Sequence, residues 1–249
     1  MVLRFGIFGF FSAIVLTFGP AAAAEAKVAV AASFLATAEE LALAFEAITG
    51  DHIVLSAGAT GALYAQISQG APFDVFLAAD NERPRKAIDE GHGVPGTAFT
   101  YAVGALVLYG PSLDLTSGTR LLRSGAFGHL AIADPQTAPY GAAAVSALRV
   151  LGIYDALVPK LVIGESIAQT LLFVESGNAE LGFVAPSQVI GKAEDRWWRV
   201  PPGLYRPIEQ DAVLLRTGEG NPVAAAFLAF LRGGEAQAIV RRHGFDPAP

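Results

Sequence analysis

Residues 27–80, KVAVAASFLATAEELALAFEAITGDHIVLSAGATGALYAQISQGAPFDVFLAAD, decide the fold. The stretch repeats one pattern: a short β-branched or apolar run, a turn of small residues, then an amphipathic segment at helical spacing. Residues 27–31 read as a strand that passes through Ala32-Ser33 into a helix carrying Leu35, Leu41 and Phe45 on one face, with Gly50 as its stop. Residues 53–55 predict the second strand, which leads through Ser56-Ala57-Gly58-Ala59-Thr60-Gly61 into a helix with Leu63 and Ile67, ended by Gly70. Residues 75–78 predict a third strand, closed by Ala79-Asp80 and followed by a helix around 86–89. Apolar strands alternating with helices are the mark of an α/β fold with parallel sheets.

Working outward, FTYAVGALVLY at 99–109 predicts one long strand, and DAVLLR at 211–216 a matching return. Between them the pattern gives a strand at 130–133, helices at 142–151 and about 167–176, and a strand at 181–184. Two Rossmann-like lobes joined by two crossover strands account for that order. Lobe 1 is then 25–102 plus 209–249, lobe 2 is 103–208, and helices at 222–232 and 235–243 close the first lobe.

The whole chain has 249 residues, 53% hydrophobic and 16% charged, which is too apolar for disorder. Its 17 Lys+Arg against 23 Asp+Glu give a formal charge of −6, without the basic footprint of a nucleic-acid binder. Cys is absent, which excludes disulfides, zinc thiolates and a lipid-anchoring cysteine. Residues 1–24, MVLRFGIFGFFSAIVLTFGPAAAA, combine Arg4, an apolar run, a Gly19-Pro20 break and a small-residue Ala22-x-Ala24 site. The apolar run falls short of the roughly 20 residues of a spanning helix, so the segment reads as a cleaved export signal. The mature chain is expected to be soluble, acidic, monomeric and outside the cytoplasm.

Most catalytic frames are missing. His52, His92, His129 and His243 show no metal-ligand spacing, and there is no G-x-S-x-G elbow, phosphate loop or G-x-G-x-x-G turn. Trp197-Trp198 sit next to each other, so an extended backbone sends them to opposite sides, one expected in the core and one in surface packing. What stands out is a set of small or hydroxylated residues at four entries into helices: Ala32-Ser33, Ala59-Thr60-Gly61, Pro139-Tyr140-Gly141 ahead of residue 142, and Ser166-Ile167. A helix N-terminus offers unsatisfied N–H groups and a partial positive charge, so it holds an anion without Lys or Arg. Taken singly, Ser33 and Thr60 read as N-caps before they read as ligands. Their occurrence together, two entries in each lobe, points to a small oxyanion held in an interlobe cleft by neutral donors.

At these residues the sequence resembles the periplasmic molybdate-binding proteins of ABC importers, the ModA family. The resembling stretches are VAVAASF at 28–34, GATGALYAQISQGAPFDVFLAAD at 58–80, ADPQTAPYG at 133–141 and ELGFVAPSQV at 180–189. The resemblance implies a type II periplasmic binding protein that is not an enzyme and carries no cofactor. Its implied ligand is molybdate, and tungstate with it, delivered to a membrane permease. It implies Ser33, Thr60, Tyr140 and the Ile167 N–H as hydrogen-bond donors to the oxyanion, with no direct metal ligands, and Ala32, Gly61, Gly141 and Ala185 as possible additions. Ala185 departs from the pattern, standing where some members carry a tyrosine ligand, and Tyr140 is expected to supply the missing hydroxyl.

Overall fold

The computed structural model describes residues 24–247, so the expected export signal lies outside the described residues apart from Ala24. In the first sheet, β1 (Glu25–Ala31) is flanked by β2 (His52–Gly58) and β3 (Val75–Leu77), both parallel to it. The helices α1 (Leu35–Thr49), α2 (Thr60–Ser68) and α3 (Glu82–Asp89) follow these strands in turn. Gly50 ends α1 in the left-handed conformation, which costs a residue without Cβ nothing.

The run at 99–109 is two strands rather than the expected one. β4 (Phe99–Gly104) pairs antiparallel in the first sheet, whereas β5 (Val107–Tyr109) belongs to a second sheet. Both halves are buried in different cores, so hydropathy carries no break between them, and the chain changes sheet at Ala105-Leu106.

The second sheet follows with α4 (Gly118–Ser124), β6 (Leu130–Ala133), α5 (Pro139–Val150), α6 (Tyr154–Leu157), β7 (Leu161–Gly164), α7 (Ile167–Glu175), β8 (Leu181–Val184) and β9 (Trp197–Arg199). Its order is β7-β6-β8-β5-β9. The chain re-enters the first sheet as β10 (Ile208–Leu214), which lies between β3 and β4 to give β2-β1-β3-β10-β4. The closing helices α8 (Pro222–Leu231) and α9 (Gly234–Arg242) pack on α1. There Phe45 meets Phe227 edge to face at 5.4 Å.

Helix α5 begins three residues earlier than the pattern suggests. Proline at its first position lacks the N–H that would be unsatisfied there, and its restricted φ suits the helix, so Pro139-Tyr140-Gly141 form the first turn instead of preceding it. Trp197 and Trp198 do alternate, packing against two different clusters. Both are half-buried, however, so neither is the fully buried partner expected. Three of the histidines pair with acids, His52 with Glu46, His129 with Glu180 and His243 with Glu40. Among the described residues no cluster of His, Asp and Glu could hold a metal ion.

Candidate functional site

The carboxyl ends of the central parallel strands of the two sheets face one another, where open α/β sheets place their ligands. Main-chain groups join the lobes there: Gly61 N–H donates to Thr137 O at 2.8 Å, and Ser187 Oγ donates to Ser33 O at 2.7 Å. Arg83 Nη2 adds a bond to Gln136 O at 2.9 Å. Gly61 permits this approach, since a Cβ on it would lie 3.0 Å from Thr137 Cα. The lobes are closed on each other.

Ser33 sits in a single 3-10 turn, Ala32–Phe34, ahead of α1. It is 2% exposed, and its hydroxyl has no hydrogen-bond partner among the described residues. The N-cap reading fails for it, because Phe34 is the N-cap of α1 and no side chain caps that end. Thr60 is the first residue of α2 and caps nothing either; its Oγ1 accepts the Ala79 N–H at 3.1 Å. Thr37, in the first turn of α1, is a second buried hydroxyl without a partner among the described residues.

Across the seam, Tyr140 is 2% exposed, and its Oη accepts from Gln210 Nε2 at 3.2 Å. Burial pushes this phenol well above its usual pKa, and repulsion from Tyr205 adds to the effect. The neighbouring Gln210 amide and Ser33 hydroxyl oppose the rise, though Ser33 stands beside the phenol without the geometry of a hydrogen bond. Tyr140 therefore stays protonated. Ile167 opens α7 behind the cap Ser166, whose Oγ accepts from Gln169 N at 3.3 Å. As the first helical residue, Ile167 has no acceptor within the helix for its N–H. Ile167 O accepts from Gln188 Nε2 at 3.2 Å, which pins the helix start to the turn after β8.

One apolar cluster contains Ala31, Ala59, Ala138, Tyr140, Ile167 and Ala185, with Ala32 packed against it. The structure thus brings the four helix entries to one seam. It engages three of the possible additional donors elsewhere. Gly61 N–H serves the interlobe bond to Thr137, and Gly141 N–H goes to Ala138 O at 2.9 Å. Ala185 N–H goes to Gln188 Oε1 at 2.9 Å. Gly141 is small for another reason, since a Cβ there would run into the Ala133 carbonyl.

The chemistry of the seam follows from its hydrogen-bond polarity. Thr60 and Tyr140 each already accept a bond, so each turns its own O–H towards a further acceptor. A fully ionised oxyanion, with acceptors on every side, suits such donors. An open groove of about 600 Å³ lies nearer the crossover, lined by Asp80, Arg83, Gln136, Ala143, Arg206 and Glu209 among others. It contains none of Ser33, Thr60, Tyr140 and Ile167 and is a separate feature.

Sequence reasoning missed Gln210, Tyr101, Ser187 and Gln188, which hold the donors in place. Gln210 contacts a residue 70 positions away and Ser187 one 154 away, so no local spacing could announce them. The one available signal was the polar run Glu209-Gln210-Asp211 inside a strand that is otherwise apolar.

The sequence profile described as bacterial extracellular solute-binding protein matches residues 26–246. The chain is 50% identical over 226 residues to the molybdate-binding protein ModA of Rhodobacter capsulatus, covering 91% of this chain and 90% of that one. It is also 50% identical over 230 residues to a molybdate-binding protein ModA of Azotobacter vinelandii, covering 90% and 91%. A solved periplasmic molybdate-binding protein of Azotobacter vinelandii superposes with a TM-score of 0.86 at 38% identity, covering 90% of this chain and 100% of that chain. Two α/β lobes closed over a seam of neutral donors, matched over nearly their whole length, place this chain in the bacterial extracellular solute-binding protein family, in its two-lobe type II architecture and alongside the ModA proteins.

Proposed function

We propose that this protein captures molybdate, and tungstate with it, in the interlobe seam and delivers it to an ABC permease at the membrane. It is a binding protein and not an enzyme. The observation that carries the reading is the Ser33 hydroxyl: buried, without a partner, and set beside a second buried hydroxyl on the opposite lobe. An unpaired buried polar group costs about 1–3 kcal/mol unless a ligand pairs with it. Ser33 and Thr60 donate from lobe 1, the Tyr140 hydroxyl and the Ile167 N–H from lobe 2, with the Ala32 backbone available beside Ser33. Lobe 1 is 25–102 plus 209–249 and lobe 2 is 103–208. Residues 1–24 direct export, and the mature protein acts as a periplasmic monomer.

Calorimetric titration of the mature protein with molybdate, tungstate, sulfate and phosphate tests the reading. Similar affinities for molybdate and tungstate, with sulfate far weaker, are expected because the first two ions are larger and nearly equal in size. Sulfate binding as tight as molybdate would overturn it.

A further inference from the structure

Gln210 is completely buried on β10, between Tyr101 on β4 and Tyr140 on α5. Its Oε1 lies 3.1 Å from Tyr101 Oη and its Nε2 lies 3.2 Å from Tyr140 Oη. Tyr101 Oη also reaches Ala78 O, at 3.0 Å. A phenol can both give and accept a hydrogen bond, whereas the two ends of an amide cannot exchange roles without a flip. With the NH₂ end towards Tyr140, the phenol oxygen accepts on that side and its proton must point elsewhere. With the carbonyl end there, the proton would be drawn inward and only lone pairs would face the seam. The structure has the amide in the first orientation, with Oε1 facing Tyr101 Oη, whose single proton is shared between Gln210 Oε1 and Ala78 O. Burial keeps Tyr101 protonated as well, its pKa raised well above the usual value by desolvation and by Tyr140, Asp211 and Asp80 nearby.

The backbone is shaped around this amide. Gly104, the last residue of β4, leaves room where a Cβ would collide with Tyr140 Oη and come within 2.7 Å of Gln210 Nε2. The β10–β4 register shifts between Gln210 and Asp211, and Asp211 takes a separate bond from Thr100 Oγ1 at 2.7 Å. Two adjacent polar residues in a buried strand thus have distinct partners.

We infer that Gln210 is a positioning residue that makes Tyr140 a hydrogen-bond donor to the bound oxyanion, and that it ties this donor on one lobe to the strand by which the chain re-enters the other. The inference rests on Tyr140 facing the ion as proposed above. It assigns Gln210 a part in selectivity, because the amide decides whether this corner of the site prefers an acceptor or a donor.

Molybdate titrations at pH 8 of the wild type, Gln210→Met, Tyr140→Phe and the double variant test it. Gln210→Met should lose about tenfold in affinity, while the same exchange in the Tyr140→Phe background should change affinity by less than about twofold. Gln210→Glu adds a readout that a packing role would not move. Its carboxylate accepts from both phenols and faces the anion with charge, so affinity should fall about 100-fold at pH 8 and recover towards pH 6, because burial raises a carboxyl pKa. The ionisable groups around the pair, Tyr205, Arg199, Asp80 and Asp211, are common to the wild type, whose own profile is the control. Full affinity in Tyr140→Phe would remove Tyr140 from the site and overturn the reading on which the inference rests. A loss in Tyr140→Phe with no loss in Gln210→Met, or additive losses in the double variant, would overturn the positioning role alone. If Gln210→Met does not fold, the Gln210→Glu profile decides, and a profile parallel to the wild type overturns the role.

Discussion

Where Ser33, Thr60, Tyr140 and Ile167 meet, the lobes contribute hydroxyls and backbone N–H groups and no formal charge. One residue beyond Ala79, the same interlobe contact turns charged: Asp80 pairs with Arg83, and Arg206 and Glu209 share the open groove. The contrast follows from the cost of desolvation. A Lys or Arg enclosed in the seam would lose its hydration whenever the lobes closed, and it would attract any anion regardless of shape. Neutral donors already fixed by the fold lose less on closing, and they select by number and direction. At the groove Arg83 and Asp80 are instead paired with one another, 24% and 16% exposed, and they help to hold the lobes together.

The hardest test of the contrast adds a methyl group to the seam. Gly104→Ala places a Cβ against Tyr140 Oη and Gln210 Nε2. It should cost about 1–3 kcal/mol of stability from overpacking, and more than tenfold in molybdate affinity because both groups must move. Calorimetry and thermal melting on the same sample read both effects; a variant binding as the wild type would show that the corner is not part of the site.

The two lobe 1 hydroxyls sharpen the comparison from within. Thr60→Ala and Ser33→Ala should each lose about 1.5–3 kcal/mol of binding to the ion. Their stabilities should diverge. Thr60→Ala strands the buried Ala79 N–H and should lower stability by about 1–3 kcal/mol, whereas Ser33→Ala removes a hydroxyl with no partner and should leave stability unchanged or higher. Equal melting temperatures in the two variants would contradict the assigned bonding.

The groove should give the smallest effect. Arg83→Ala loses the pair with Asp80 and the bond to Gln136 O across the lobes, yet it should change molybdate affinity by less than about 1 kcal/mol, and by less still at high salt. A loss as large as that of Thr60→Ala would mean that the charges, and not the seam, govern capture.

Much of this arrangement was legible from residues alone, and the gaps have physical causes. The strands at 130–133 and 181–184 came out as read, since each is a short apolar run between turn residues. The helix starts at Thr60 and Ile167 were legible because Ala59-Thr60 and Ser166 mark chain entries. The sheet change after Gly104 was not, because an apolar run that passes from one core into another looks continuous. Tyr140 was nominated from its place in a Pro-Tyr-Gly turn, but the Gln210 amide that orients it lies one residue ahead of the return strand read at 211–216, which in the structure begins at Ile208. The N-cap reading of Ser33 and Thr60 could be set aside only when bond partners were known, since both roles need the same residue at the same place.

The bond from Gly61 N–H to Thr137 O bears on how fast cargo leaves. It is made by main chain on both sides, whereas the bonds to the Ser33 and Gln136 carbonyls come from the side chains of Ser187 and Arg83. At about 1 kcal/mol net for each bond, three of them slow opening by about two orders of magnitude before the ion itself is counted. Substitution can remove the Ser187 and Arg83 donors but not the Gly61 N–H or the Thr137 carbonyl, so that one bond is the part of the residence time protected from side-chain drift. Fast unloading then requires something that competes for these carbonyls or forces the lobes apart as a whole.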